Sequence, residues 1–186
     1  MNIPALNVPN EGFMDPQSTI GYFGLREGMR VADFGSGSGY FTILIARIVG
    51  EGGLVTAIDV MDSALDMVRA KAKSEGLKNV DTIRSNLEVT GSSGLASDSQ
   101  DFVLLKNILF QSNKKEEIIK EARRVLKSGG GLAVIDWKKG SHGFGPPDDL
   151  RTDENTIREM VLQVGLDYLR FIEVDVFHYG LMFVKK

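Results

Sequence analysis

The sequence predicts an α/β fold built on a mostly parallel sheet of seven strands. Short β-rich runs alternate with segments of helical periodicity over most of the 186 residues, which is the pattern of a parallel sheet flanked by helices. Several of the 21 glycines fall where a strand should pass into a helix. Two further β-rich runs with a tight link follow the fifth strand, and they predict an antiparallel terminal pair.

The first half of the chain predicts two strand–helix units after an opening helix. Asp15 before Pro16 is typical of a helix start, with an N-cap followed by proline, and this helix should run to about Leu25. Apolar spacing and β-rich composition predict the elements that follow. They are a strand at 30–34, a helix at 40–49, a strand at 54–59, a helix at 63–75 and a strand at 80–84.

The second half continues the alternation after an irregular stretch at 85–100 that is rich in Ser, Gly and Asp. A helix capped by Ser112 or Asn113 should run to Leu126, and Thr152 or Asp153 should start another that ends at 164. A loop at 138–152 is long for a compact domain, which favours a substrate-side loop. The remaining strands are predicted at 101–106, 132–137, 167–176 and 177–185.

Composition narrows the chemistry that the chain can perform. It has no cysteine, which excludes disulfides, thiolate metal sites and cysteine nucleophiles, and with only two histidines we expect no metal site. The net charge of −3 argues against bulk nucleic-acid binding. The apolar runs are too short to span a bilayer, and residues 1–10 lack a signal-peptide pattern. We therefore expect a cytoplasmic protein, either a monomer or a homodimer.

A glycine-rich turn at 35–39 follows the first strand and opens a helix. Glycines let a ligand approach the backbone closely, and free N–H groups at a helix start attract anions. The spacing Gly-x-Gly-x-Gly opposes the dinucleotide fingerprint, whose third glycine position holds Tyr40 or Thr42 here, and no P-loop lysine follows. Asp59 ends the second strand, where a carboxylate can accept hydrogen bonds from both ribose hydroxyls. The combination predicts a nucleoside cofactor, with a plain packing turn and an ordinary strand-end acid as the alternatives.

These motifs resemble those of the class I S-adenosylmethionine-dependent methyltransferases. Residues 31–40 resemble the family's motif I, Ala57-Ile58-Asp59-Val60 its acidic second motif, and 126–130 its turn before strand five. The resemblance covers nearly the whole chain and points to the small ubiquinone/menaquinone-biosynthesis-like and arsenite-methyltransferase-like grouping. It implies a Rossmann-like three-layer sandwich with strand order 3-2-1-4-5-7-6 and an antiparallel last strand. It also implies a single domain over 1–186, with 1–29 as an N-terminal helical extension or lid.

The resemblance implies S-adenosylmethionine as cofactor and S-adenosylhomocysteine as product. Asp59 would bind the ribose, and Asp33 would lie near the cofactor's amino group. Asn86 stands where the family commonly has an aspartate, and it could instead cap the following turn. Carried over position by position, the cofactor residues are Asp33, Gly35, Ser36, Gly37, Gly39, Asp59, Val60, Asn86, Leu87, Lys106 and Asn107.

The reaction implied is in-line displacement of the methyl group onto a small-molecule acceptor. Alignment of the two reactants is the main requirement, so no acid or base is compulsory. The Asn/Asp-Pro-Pro-aromatic signature of amino-directed nucleic-acid methyltransferases is absent after strand four. A cofactor-binding protein without transfer activity and a nicotinamide-dependent oxidoreductase are the alternatives. Candidates for acid–base catalysis are His142, His178 and Tyr179, and candidates for the acceptor side are Phe13, Tyr22, Tyr40, Phe110, Gln111, Trp137 and Lys138.

Overall fold

A computed structural model describes residues 14–141 and 144–186 of the protein. Two short 3-10 turns, at Leu109–Gln111 and Asp148–Leu150, accompany the regular elements. In chain order these elements are α1 (Pro16–Gly21), β1 (Arg30–Phe34), α2 (Tyr40–Val49), β2 (Leu54–Asp59), α3 (Asp62–Ser74), β3 (Val80–Arg84), β4 (Gln100–Lys106), α4 (Lys115–Val125), β5 (Leu126–Trp137), α5 (Glu154–Val164), β6 (Asp167–Glu173) and β7 (His178–Val184).

The strands form one sheet in the order β3-β2-β1-β4-β5-β7-β6. The pairs from β3 to β5 are parallel, and β7 runs antiparallel to both β5 and β6. The predicted fold class and strand order are therefore confirmed. None of the helices in the described part of the chain is long and apolar enough to cross a bilayer.

Both faces of the sheet are covered, as successive residues of β1 show. Val31 packs in a cluster with Phe41 of α2, whereas Ala32 packs on the opposite face in a cluster with Ile119 of α4 and Val161 of α5. This follows from the alternation of side chains along a strand. The central strands are apolar on both faces because helices cover both, and the loops at their carboxyl ends are left to form a site.

Two element boundaries differ from the prediction. Helix α1 ends at Gly21 rather than near Leu25, because Gly24 has a φ of +66°, which a right-handed helix does not accept. Helix α4 begins at Lys115, and Lys114 is its N-cap without a side-chain cap bond. The predicted cap Ser112 instead accepts a hydrogen bond from the Lys114 N–H at 2.8 Å, outside the helix.

Strand β5 is longer than predicted, since it begins at Leu126 directly after α4 rather than at Leu132. The glycines at 129–131, predicted to end the helix, lie within this strand. A Cβ on Gly131 would stand 2.9 Å from the Phe102 ring of β4, so glycine at this position lets the ring lie close to the strand. Gly129 has a different role, since its φ of +79° suits a turn and an added Cβ would meet no protein atom within 4 Å.

A buried ion pair fixes the irregular stretch between β3 and β4. Glu121 of α4 is fully buried, and its carboxylate accepts hydrogen bonds from the N–H groups of Gly91 at 2.6 Å and Ser93 at 3.2 Å. Arg124 donates to the same carboxylate at 2.7 Å and 2.9 Å. Burial by itself would raise the pKa of Glu121, but these hydrogen bonds lower it to about 2. The stretch is thereby attached to α4.

We expect Glu121→Gln to lower the free energy of unfolding by about 3 kcal/mol, because it leaves Arg124 without its buried partner. Since the pKa of Glu121 is depressed in the folded state, its contribution is complete above about pH 4.5 and is lost as the pH falls toward about 2. Urea unfolding at several pH values measures both effects. Glu116→Gln, at an exposed position of the same helix, is the control and should change stability by less than about 0.5 kcal/mol.

Candidate functional site

The glycine-rich turn joins β1 to α2 through three residues with positive φ, Gly35 at +72°, Gly37 at +51° and Gly39 at +78°. A Cβ on Gly35 would lie 2.8 Å from Ile108 Cδ1, and one on Gly39 would lie 2.7 Å from Val68 Cγ2. Packing within the protein therefore requires these two glycines. A Cβ on Gly37 would meet no protein atom within 4 Å, so this residue faces open space in which a ligand would lie.

Asp59 connects the end of β2 to this turn. Its Oδ2 accepts a hydrogen bond from the Gly37 N–H at 2.9 Å, and its Oδ1 accepts one from the Met61 N–H at 3.0 Å. A carboxylate has about four acceptor positions, so two remain for a ligand. The Ser36 hydroxyl next to Gly37 is buried and has no hydrogen-bond partner in the protein. Both features fit a polar ligand held against the turn.

Asp33 lies beneath the turn and is 2% exposed. Burial raises its pKa to about 6, although a 2.6 Å hydrogen bond from the Thr42 hydroxyl and the charge of Lys106 both lower it. Lys106 Nζ is 5.5 Å from the centroid of the Phe41 ring. Burial also lowers the pKa of Lys106, against the opposing effect of the Asp33 charge. The floor of the site therefore holds one acid and one base, both poorly hydrated.

A cavity of about 550 Å³ opens above these residues, within the usual range of small-molecule sites. It is lined by residues at the carboxyl ends of β1, β2 and β4 and at the start of the stretch after β3. Gly39 belongs to the turn but does not line the cavity. The predicted cofactor residues that do line it are Asp33, Gly35, Ser36, Gly37, Asp59, Val60, Asn86, Leu87, Lys106 and Asn107.

Asn86 and Leu87 each have a structural role within the protein and also line the cavity. Asn86 Oδ1 accepts a hydrogen bond from the Glu88 N–H at 3.0 Å, so the residue does cap its turn, yet it also lines the cavity. Leu87 is a core residue, 4% exposed, whose surface reaches the cavity wall. Val60 is 54% exposed and contributes an apolar edge.

The acceptor-side candidates divide between the cavity and its surroundings. Tyr40 and Gln111 line the cavity. The Phe110 backbone N–H donates to Asp136 at 3.1 Å, beside the cavity. Tyr22 lies at the end of α1, 43% exposed. None of these positions tests the assignment to an acceptor, which stays a prediction.

The candidates around β5 and β7 lie behind the cavity wall. Trp137 is buried, and Lys138 Nζ donates to the Asp175 carbonyl at 2.8 Å. The Tyr179 hydroxyl donates to the Thr152 carbonyl at 3.1 Å, and burial raises its pKa well above the usual range. Tyr179 thus has a structural partner in the protein. Phe13 and His142 lie outside the described residues.

The loop after β5 is held by one guanidinium group. Arg151 is 6% exposed and donates to the carbonyl oxygens of Lys138 at 2.9 Å, Phe144 at 2.6 Å and Pro146 at 2.9 Å. It also lies 5.7 Å from the Trp137 ring. This role was not predicted, because an arginine near a predicted helix start gives no indication of which distant carbonyls it will bind.

Asp175 was not predicted either, and its carboxylate contacts His178 Nδ1 at 2.8 Å. The signal was present, since an aspartate is disfavoured inside a strand and the predicted strand ran from 167 to 176. In the structure β6 ends at Glu173, and Asp175 shapes the link to β7. Asp175 itself does not line the cavity. The cavity-lining residues that were not predicted are Ser38, Phe41, Met61, Ala64, Ser85, Glu88, Ile108, Ser112 and Ile118.

The titratable side chains do not form a metal site in the part of the chain that the structure describes. No three of its His, Asp and Glu residues are grouped so that they could hold an ion.

Comparison with known proteins agrees with this geometry. A family model described as a methyltransferase domain matches residues 25–164. A ubiquinone/menaquinone biosynthesis C-methyltransferase from Shewanella pealeana is 35% identical over 125 residues, which are 67% of this chain and 49% of that protein. The chain thus spans about half the length of the curated relatives that it matches.

Solved structures extend the match to nearly the whole chain. An S-adenosylmethionine-dependent methyltransferase from Aquifex aeolicus has a TM-score of 0.85 and 30% identity, covering 94% of this chain and 91% of that one. An arsenic(III) S-adenosylmethionine methyltransferase from Chlamydomonas reinhardtii shares the fold, with a TM-score of 0.69 and 24% identity over 86% of this chain and 64% of that one. With the matching strand order and the cavity at the strand ends, these likenesses show that the chain belongs to the class I S-adenosylmethionine-dependent methyltransferases.

Proposed function

We propose that the protein transfers a methyl group from S-adenosylmethionine to a small-molecule acceptor. The observation that carries this proposal is the single cavity in which the open side of Gly37, the free acceptor positions of Asp59 and the end of β4 meet. When bound, the cofactor supplies a methyl group on a sulfonium: the acceptor forms the new bond to carbon, the sulfur–carbon bond breaks to give S-adenosylhomocysteine, and the acceptor's proton leaves to solvent.

The chain's own residues bind and orient the reactants. Ser36 and Gly37 would hold the methionine part through the unpaired hydroxyl and the open backbone, and Asp59 would accept hydrogen bonds from the ribose. Asp33 would face the amino group from below. Fixing both reactants in one cavity lowers the activation free energy by up to roughly 7–11 kcal/mol in well-oriented cases.

We further propose that residues 14–141 and 144–186 form a single methyltransferase domain, and that the described parts of the segments 1–29 and 138–152 border its acceptor side. In the first segment, Phe23 stacks on Phe102 of β4 with ring centroids 5.1 Å apart. In the second, Arg151 binds carbonyl groups along the loop. Phe23 thus packs against the amino-terminal half of β4, and the loop after β5 is held by contacts within the loop itself.

A screen of methyl acceptors, read by release of S-adenosylhomocysteine, tests the proposed function. The panel should include phenols, amines, carboxylic acids and hydroquinones, the last because the curated relatives are named as ubiquinone/menaquinone C-methyltransferases. The Gly37→Val variant is the background control. Release that depends on one acceptor class supports transfer activity. Tight cofactor binding with no release across the panel would instead favour a cofactor-binding protein without transfer activity.

The affinity for S-adenosylhomocysteine should fall as the pH drops below about 6. Burial raises the pKa of Asp33 to about 6, so protonation in this range removes the negative charge that attracts the cofactor's cationic amino group. Linkage to one proton weakens binding by up to about tenfold per pH unit. Calorimetry from pH 8 to 5 measures the effect. Asp33→Asn should bind weakly with a flat profile, whereas Asp136→Asn, which removes another acid of pKa about 6, should keep the wild-type slope.

A further inference from the structure

Asn107 has an unusual backbone conformation at the cavity wall. It follows β4 with a φ of +52°, in the left-handed region, which is uncommon for a non-glycine residue although asparagine tolerates it better than most. Two hydrogen bonds keep it there, from its N–H to the Ile135 carbonyl at 2.9 Å and from Gln111 Nε2 to its carbonyl at 2.8 Å. Strained residues that are held in this way are concentrated at functional sites.

The side chain of Asn107 is oriented by a buried histidine. His178 Nδ1 lies 2.8 Å from the Asp175 carboxylate, and the two side chains are 7% and 3% exposed. A carboxylate only accepts, so Nδ1 carries the hydrogen. Burial lowers the pKa of His178, against the opposing effect of Asp175, and the nearby Lys106 and Lys138 lower it further. The ring is therefore neutral above about pH 7, and its Nε2 then has a free lone pair.

This tautomer determines which way the Asn107 amide points. Because Nε2 can only accept, it must receive its hydrogen from Asn107 Nδ2, 3.3 Å away. Oδ1 is then turned away from His178, and it is buried without a hydrogen-bond partner. An unpaired buried acceptor costs about 1–3 kcal/mol, and a donor on a bound molecule would remove this cost.

Packing prevents the histidine from turning away. The Trp137 ring lies 4.0 Å from the His178 ring, centroid to centroid. A Cβ added to Gly145 would lie 2.5 Å from Cζ3 of Trp137, so the backbone of the loop packs tightly against the Trp137 ring. His178 does not line the cavity, whereas Asn107 does. The chain Asp175–His178–Asn107 therefore ends on a residue of the cavity wall.

We propose that Asp175 and His178 are positioning residues that orient Asn107, whose Oδ1 accepts a hydrogen bond from an O–H or N–H group of the methyl acceptor. The inference rests on the proposed function and names its substrate class. Acceptors carry a hydroxyl or amine hydrogen at, or next to, the atom that is methylated. The Nε2 lone pair of His178 is used by Asn107, so His178 acts through Asn107 and not as a general base.

The first test is the tautomer of His178, measured by nitrogen-15 NMR in the complex with S-adenosylhomocysteine. In the His142→Gln variant, His178 is the only histidine in the sequence. We expect a pyrrole-type signal for Nδ1 and a pyridine-type signal for Nε2 at about pH 8, where the ring is neutral. A proton on Nε2 at this pH would overturn the proposal.

The second test uses phenol and anisole, which carry the same oxygen with and without its hydrogen. In protein saturated with S-adenosylhomocysteine, phenol should bind about tenfold more tightly than anisole and shift the Asn107 side-chain amide signals. His178→Phe keeps a ring against Trp137 but removes the acceptor nitrogen, and it should abolish the preference. His178→Gln offers an amide oxygen to Asn107 and should restore part of it.

The outcomes separate this inference from the proposed function. If the wild-type protein does not bind S-adenosylhomocysteine, that result would count against the proposed function itself. Normal binding of that product together with equal affinities for phenol and anisole would overturn the inference alone. A His178→Phe variant that keeps the full preference for phenol would show that His178 only packs against Trp137, which would also overturn it.

Discussion

Replacing Asp59 with alanine is expected to weaken binding of S-adenosylmethionine and S-adenosylhomocysteine about a hundredfold. A hydrogen bond to a charged group contributes about 1.5–3 kcal/mol, and the carboxylate has acceptor positions free for two ribose hydroxyls. The substitution also removes the acceptor of the Gly37 N–H, so the glycine turn loses its tie to β2. Isothermal titration calorimetry with both ligands gives the two dissociation constants.

Asp62→Ala is the matched control for this substitution. Asp62 is a neighbouring acid at the start of α3, and it forms an exposed ion pair with Arg84 at 2.8 Å without lining the cavity. Its removal should change either affinity by less than about twofold, because exposed ion pairs contribute about 0–1 kcal/mol to stability and none to this site. Equal affinities of the Asp59→Ala variant and the wild type would show that Asp59 does not contact the ribose.

The second large effect is expected from Gly37→Val, which should abolish cofactor binding. A Cβ at this position meets no protein atom within 4 Å, so the added side chain would occupy the cavity itself. It would also hinder the approach of a ligand to the backbone of the turn. Calorimetry with S-adenosylhomocysteine is the measurement, and circular dichroism reports whether the fold is retained.

Gly76→Val separates the loss of ligand space from backbone strain. Gly76 has a φ of +69°, and a Cβ added to it would likewise meet no protein atom within 4 Å, but it lies beyond the end of α3 and away from the cavity. We expect this variant to be destabilised and still to bind the cofactor. Unchanged affinity of a folded Gly37→Val variant would contradict our placing of the ligand against the turn.

Local patterns in the sequence were sufficient to predict the sheet. The β1 and β2 runs each have one apolar stretch that ends on an acid or glycine, and their boundaries in the structure are the predicted ones. The start of β5 could not be predicted, because Gly131 has the local pattern of a helix terminator. The reason for a glycine there is the ring of Phe102 on the neighbouring strand, a contact between residues distant in sequence.

The candidate site likewise has a part that the sequence predicts and a part that only the fold shows. The cofactor residues lie at strand ends, and in a parallel sheet all of these ends meet at one edge, so the sequence was enough to expect them together. The connection between Asp175, His178 and Asn107 depends on the side-by-side pairing of β5 with β7 and on a four-residue link. Only the folded structure shows that Asn107 both lines the cavity and contacts His178.

Calorimetric titration of the wild-type protein with S-adenosylhomocysteine and, separately, with NAD tests the central claim most directly. Both ligands contain an adenosine that could use Asp59, but only the first matches a turn with the spacing Gly35-x-Gly37-x-Gly39. We predict binding of one S-adenosylhomocysteine per chain and no measurable heat with NAD. Tight binding of NAD with no binding of S-adenosylhomocysteine would contradict the account.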